Sequence, residues 1–249
     1  GGRWGPSHET CLEQAQRYED LFIPAAVVDP GETEPERIDE LYAMGYRGLK
    51  IIGTARAYDD RSYFPVYERA QANHMPILFH CGVIGGPIDL RTHHPRRDPE
   101  SANRLLAFAE RLRGMGVRDV GASRMRPFHL DTIANNFPEL PIIGAHLGGT
   151  GNYDEAASVA RWRLNVAFDM SGGEVIERHA VERRLIGFEI TVEKLMFGSD
   201  CAADDIQDHV DRFQSIFDEL GLDDDARERI WYGNAAEMFG LQEPAWAAE

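Results

Sequence analysis

"PILFHCG", residues 76–82, is the stretch on which the reading of the whole chain turns. A proline opens it, three bulky apolar residues follow, and it closes on His80, Cys81 and Gly82. A run this short and this apolar suits a β-strand covered on both faces. The imidazole at its end can be a core histidine bonded to a neighbour, or a metal ligand where the strand gives way to a loop. One histidine does not choose between them. Working outward, runs of the same kind recur as "FIPAAVV" (22–28), "GLKII" (48–52), "PIIGAH" (141–146), "LNVAFDM" (164–170) and "KLMFGS" (194–199).

Amphipathic stretches lie between these runs: "EPERIDELYAMG" (34–45), "FPVYERAQANH" (64–74), "ESANRLLAFAERLRGMG" (100–116), "GEVIERHAVERRLIG" (173–187) and "DIQDHVDRFQSIFDELG" (205–221). In the first of them Ile38, Leu41, Tyr42 and Met44 share a side, and Gly45 suits the position just past the last helical turn. Strand and helix in alternation predict parallel strands joined by right-handed crossovers. No G-x-G-x-x-G follows the first strand, so a dinucleotide fold has no support, and "GGTGN" (148–152) is weak evidence for phosphate binding. On this pattern alone, an open doubly wound sheet and a closed barrel both remain available.

Of the 249 residues, 43% are apolar and 27% charged, as in ordinary globular proteins. The 26 basic and 42 acidic residues leave a net charge of −16, which argues against nucleic acid or an anionic membrane as partner. Cys11, Cys81 and Cys201 are an odd number without paired spacing, so no disulfide framework is expected. Without a signal peptide or a membrane-length apolar run, the expectation is a cytoplasmic protein whose partner is a small molecule. Residues 1–249 read as one domain, with 1–20 an atypical N-terminal segment.

The reactive side chains fall at matching places. "PILFH" ends at His80, "PIIGAH" at His146, and "KLMFGSD" at Asp200. In parallel α/β folds the C-terminal strand ends are where sites are built. Two imidazoles and a carboxylate suit a divalent ion, zinc first and manganese or iron as alternatives. Gly82, Gly148, Gly149 and Gly198 beside them leave room for close approach. Cys81 and Cys201 are expected to pack rather than coordinate. Lys50 points either into the sheet's inner face or out to the helices, and Asp29 most simply starts a turn.

Together "GYRGLKI", "PILFHCG", "FPELPIIGAHLGG", "LMFGSD" and "YGNAAEMFG" resemble, in order from Phe22 to Leu241, landmarks of the amidohydrolase-2 group of the amidohydrolase superfamily. That group includes aminocarboxymuconate-semialdehyde decarboxylase and γ-resorcylate decarboxylase. The resemblance implies a (β/α)8 TIM-type barrel, six of whose eight strands are recognisable here, with a divalent metal at its C-terminal face. It implies that His80 and Asp200 are metal ligands, that His146 acts beside or on the metal, and that Asp200 and His146 handle protons. Arg124, Arg126 and His129 in "SRMRPFHLD" fall where family members place substrate-contacting loops. Self-association into a homo-oligomer is also implied.

One departure stands out. Family members begin with a strand carrying H-x-H or E-x-H, and no H-x-H occurs in this sequence. Counting back from "KLMFGS" as the eighth strand makes "FIPAAVV" the third. The first two strands are then either left out of this chain or altered in a natural variant, and the opening residues favour omission. His93 and His94 are adjacent and read as a basic solvent loop; His8 is a minor candidate for the site; His74, His179 and His209 read as helix-surface or helix-end residues. Three functions follow. The first is hydrolysis of an amide, ester or lactone by metal-activated water, with Asp200 taking the proton. The second is nonoxidative decarboxylation with His146 managing the proton. The third is a non-catalytic barrel with an incomplete metal site.

Overall fold

A computed structural model of the chain describes residues 7–18, 22–84 and 121–241. The predicted helix over 100–116, the His93–His94 loop and, before "FIPAAVV", residues 1–6 and 19–21 lie outside the described residues. All six predicted strands form: β1 (Ala25–Val28), β2 (Gly48–Ile51), β3 (Ile77–Phe79), β4 (Ile142–Gly144), β5 (Val166–Asp169) and β6 (Leu195–Met196). They make one sheet in sequence order, every neighbouring pair parallel. This is the α/β architecture of a (β/α)8 barrel.

One helix precedes the strands and the others follow them: α1 (His8–Gln16), α2 (Glu36–Met44), α3 (Phe64–Ala72), α4 (Pro127–Asn136), α5 (Tyr153–Trp162), α6 (Glu174–Arg178), α7 (Ile206–Leu220), α8 (Asp224–Glu228) and α9 (Asn234–Met238). Helix α2 shows why the sequence folds this way. Glu36 and Asp39 sit in its first turn, where they complement the helix dipole. Ile38 and Leu41 point inward, fully buried. Gly45 then takes φ 118°, a left-handed value, and returns its N–H to the Leu41 and Tyr42 carbonyls. The helix stops where the sequence predicts.

Strand alternation divides the sheet into two faces. Leu49, Ile51, Ile77, Phe79, Ile142, Val166 and Phe168 face the helices and belong to the main apolar core. Burial of each such side chain stabilises the fold by about 1.5–3 kcal/mol. The other face carries Ile143, Ala167 and Met196, with Leu78 packed beside them. The register sets Lys50 opposite Leu78, so Lys50 shares that inner face. Met238 and Phe239 close the inner face at the strands' N-terminal end, and Phe239 lies against Gly48. Asn234 ties this closing segment to the sheet by donating from Nδ2 to the Val192 and Leu195 carbonyls, each at 2.7 Å.

Candidate active site

The opposite, C-terminal end of the strands holds a cavity of about 220 Å³ lined by His80, His146 and Asp200, with Cys81, Val83 and Ile176 among the other walls. The three residues picked out by their position in the sequence therefore share one hollow. His80 follows directly on β3. His146 follows β4 within a tight turn, and both imidazoles are buried. Two further hollows, of about 230 and 620 Å³, lie elsewhere and are lined by other residues, including Lys194 and Tyr232 respectively.

The two rings meet edge to face, with centroids 4.9 Å apart. His146 Nε2 lies 3.3 Å from His80 Nδ1, and His80 Nε2 lies 3.4 Å from the Val83 carbonyl. Burial first, then the Lys50 and His146 charges, depress the His80 pKa to about 3. His80 is thus neutral near pH 7. Behind His146 stand two residues that the strand-end reading did not single out. Asp169 Oδ1 accepts the His146 backbone N–H and the Ser171 N–H, both at 3.0 Å. It also accepts the Ser171 hydroxyl at 2.5 Å, and Ser171 Oγ lies 2.8 Å from His146 Nδ1. Asp169 ends the apolar run of β5 as His80 ends that of β3, so the same criterion would have found it.

Backbone strain concentrates here. His146 and Asp200 both adopt left-handed φ, 60° and 48°, which non-glycine residues seldom do. Glycine makes the crowding possible. A Cβ on Gly149 would stand 2.6 Å from the Gly82 Cα and 2.7 Å from the Cys81 carbonyl oxygen, so the ends of β3 and β4 approach backbone to backbone. A Cβ on Gly198 would meet the Asp169 and Ser171 Cβ atoms at 3.2 Å.

Not every expectation about the site is met. Among the described residues, no three His, Cys, Asp or Glu side chains are grouped so as to hold one metal ion. Asp200 lines the cavity, but it is exposed on a left-handed turn and does not close on the imidazole pair. Arg126 is engaged with Glu155, its Nε donating to Oε2 at 3.2 Å. His129 makes contacts of 2.9 Å to Asp59 and to the Ser123 carbonyl. Arg124 closes a short helical turn, and its carbonyl accepts the Tyr58 N–H. None of these three lines the cavity.

His8 Nε2 lies 2.9 Å from the Val27 carbonyl, tying α1 to β1 rather than reaching the cavity. His74 lies just past the end of α3 with a left-handed φ of 51°, and His179 stacks on Tyr153. Asp29 accepts the Gly31 N–H at 2.9 Å, as a turn residue should. Cys81 is buried in the core with its thiol pushed up to about 12 by burial, so it is no nucleophile. Lys50, left open by the sequence, lies on the inner face below His80. Burial lowers its pKa, opposed by the Asp169, Cys81 and Asp200 charges.

A parallel α/β barrel with histidines and a carboxylate around a cavity at its C-terminal strand ends defines the class. A model of the amidohydrolase family matches residues 4–241, and the chain belongs to that family. Among solved structures, it is similar to 5-carboxyvanillate decarboxylase from Sphingomonas paucimobilis (17% identity, 95% of this chain and 72% of that one, TM-score 0.61). It is similar also to a dihydroxybenzoic acid decarboxylase from Polaromonas with bound manganese and 2-nitroresorcinol (18%, 95% and 74%, 0.60). A third is a probable 2-pyrone-4,6-dicarboxylic acid hydrolase from Acinetobacter baumannii with citric acid bound (15%, 95% and 80%, 0.57). No curated protein sequence matches the chain.

Proposed function

We propose that this protein is a metal-dependent hydrolase of a small carboxylate-bearing molecule, acting on an amide, ester or lactone. The observation that carries the reading is the cavity itself: His80, His146 and Asp200 line one hollow of about 220 Å³ at the catalytic end of the barrel. The volume suits a single-ring substrate.

The donor set fits a divalent ion in part. Two metal–nitrogen bonds of about 2.1 Å at a tetrahedral angle set their nitrogens about 3.4 Å apart. The facing nitrogens of His80 and His146 are 3.3 Å apart. A ligand imidazole must be neutral, and burial keeps His80 so. His80 and His146 would hold the metal, with Asp200 the carboxylate of the same cavity. Zinc or manganese would supply Lewis acidity toward a substrate oxygen and toward water. Asp200, reached by solvent, accepts the proton of the attacking water at its carboxylate. Neutral His80 keeps one ring nitrogen with its lone pair free to act as a donor atom. The glycines at 149 and 172 keep the wall low, so a planar substrate reaches the imidazoles.

Nonoxidative decarboxylation is a second reading, favoured by the decarboxylases among the structurally similar proteins. In that case the proton passes through His146 to the carbon that loses its carboxylate. One assay separates the two. The protein is incubated with manganese or zinc in ¹⁸O-labelled water, with hydroxybenzoates and 2-pyrone-4,6-dicarboxylate as substrates. Hydrolysis incorporates ¹⁸O without releasing CO₂. Decarboxylation releases CO₂ and leaves the organic product without ¹⁸O, and that result would overturn the first reading.

A further inference from the structure

Asp169 and Ser171 form a hydrogen-bonded chain with His146, and neither proposed reaction has used these two partners. Its donors and acceptors can be counted. A hydroxyl has one hydrogen. The Ser171 hydroxyl spends it on Asp169 Oδ1, at 2.5 Å, because that oxygen is an acceptor already taking two backbone N–H groups. Toward His146 Nδ1, 2.8 Å away, Ser171 Oγ can then only accept. The hydrogen in that contact therefore belongs to Nδ1. In a neutral imidazole one nitrogen carries the hydrogen and the other the lone pair. The lone pair is left on Nε2, the nitrogen that faces His80.

We infer that Asp169 and Ser171 are positioning residues that fix the tautomer and orientation of His146, so that Nε2 is the nitrogen presented to the cavity. The chain is built at both ends of His146: Oδ1 of Asp169 anchors its backbone N–H, which holds the left-handed φ of 60°, while Ser171 anchors its ring. Space for it is reserved by glycine. A Cβ on Gly198 would press on Asp169 and Ser171, and one on Gly172 would lie 3.2 Å from His146 Nδ1. All three chain members are buried, 9%, 3% and 9% exposed for Asp169, Ser171 and His146, so water does not compete for these bonds. The same logic applies to histidines that ligate metals, whose second nitrogen is usually held by a partner that sets the ring.

The inference rests on the reading of His146 as a site residue, but the test separates the two. Protein labelled with ¹⁵N-histidine is freed of metal with EDTA, and long-range proton–nitrogen correlations are recorded at mildly alkaline pH. The His146 signals are those absent from His146→Gln. The expected result is a protonated Nδ1 and a lone-pair Nε2. Ser171→Ala should invert this tautomer, whereas Asp169→Asn, which keeps an oxygen acceptor, should preserve it. In Ser171→Ala, manganese affinity measured by calorimetry should fall about 10- to 100-fold. A wild-type His146 protonated on Nε2, or a tautomer unchanged in folded Ser171→Ala, would overturn the inference. The wild-type spectrum decides the first point even if that variant fails to fold. The expected tautomers without any manganese binding to wild type would support the relay and refute the metal reading instead.

Discussion

Burial strips His80 of its charge, and that has a measurable consequence. Its pKa is held at about 3 in the folded chain against 6.5 for a free imidazole. Between these values the unfolded state binds a proton that the folded state refuses, so stability of the metal-free protein rises with pH across that window and is lost as pH falls through it. The cost at low pH is on the order of several kcal/mol. Denaturant titrations from pH 7 to pH 3 should show this slope, and His80→Gln should flatten it. A second prediction concerns the crossing of the β3 and β4 ends. Gly149→Ala forces a Cβ into backbone at 2.6 Å with φ at 82°. Gly151→Ala carries a similar φ of 92° with nothing within 4 Å. Thermal melts should show the first destabilised by about 2–4 kcal/mol and the second by about 1 kcal/mol. At this scale the sequence was informative wherever a ligand-type side chain closed an apolar run, as at His80 and His146. Asp169 closes an apolar run in the same way, whereas Ser171 gives no local signal, because its partner His146 lies 25 residues away and only folding pairs them.

Among the elements, α6 and α7 are joined by a charge pair that the core depends on. Arg212 donates from Nε and Nη2 to the two oxygens of Glu177, at 2.6 and 2.7 Å, and Glu177 is fully buried. Removing one partner of such a pair leaves a desolvated charge. Arg212→Leu should therefore cost about 3–5 kcal/mol, whereas the double change with Glu177→Leu should recover much of it. Urea unfolding of the two variants checks this; equal losses would contradict it. The strands and most helices were legible because their patterns were strong: short apolar runs for β1 to β6, and a wide apolar stripe in α7. Helix α5 was not legible. Its buried face is made of small side chains, Ala156, Ala157, Val159 and Ala160, and Glu155 is buried there as the partner of Arg126. Arg126 itself looked like a substrate contact because its acidic partner is 29 residues distant.

As a whole molecule, the chain combines a net charge of −16 with large apolar side chains left in solvent. Trp162, Leu164 and Phe188 are 71%, 96% and 93% exposed. We propose that these residues take part in self-association. Sedimentation should show a concentration-dependent oligomer that Leu164→Glu with Phe188→Glu reduces to monomer; a wild-type monomer at all concentrations would contradict it. Among the described residues, no helix is long and apolar enough to cross a membrane. The family and barrel class were readable from motifs spread along the sequence, whereas the approach of the imidazoles to 3.3 Å depends on strand register and backbone crossing that no local pattern encodes. The central claim is that this imidazole pair holds a divalent metal, and elemental analysis of the purified chain and of His80→Ala after exposure to manganese or zinc tests it most directly. The expected result is about one equivalent in the wild type, lost on substitution. No metal in the wild type, or full occupancy retained by His80→Ala, would contradict it.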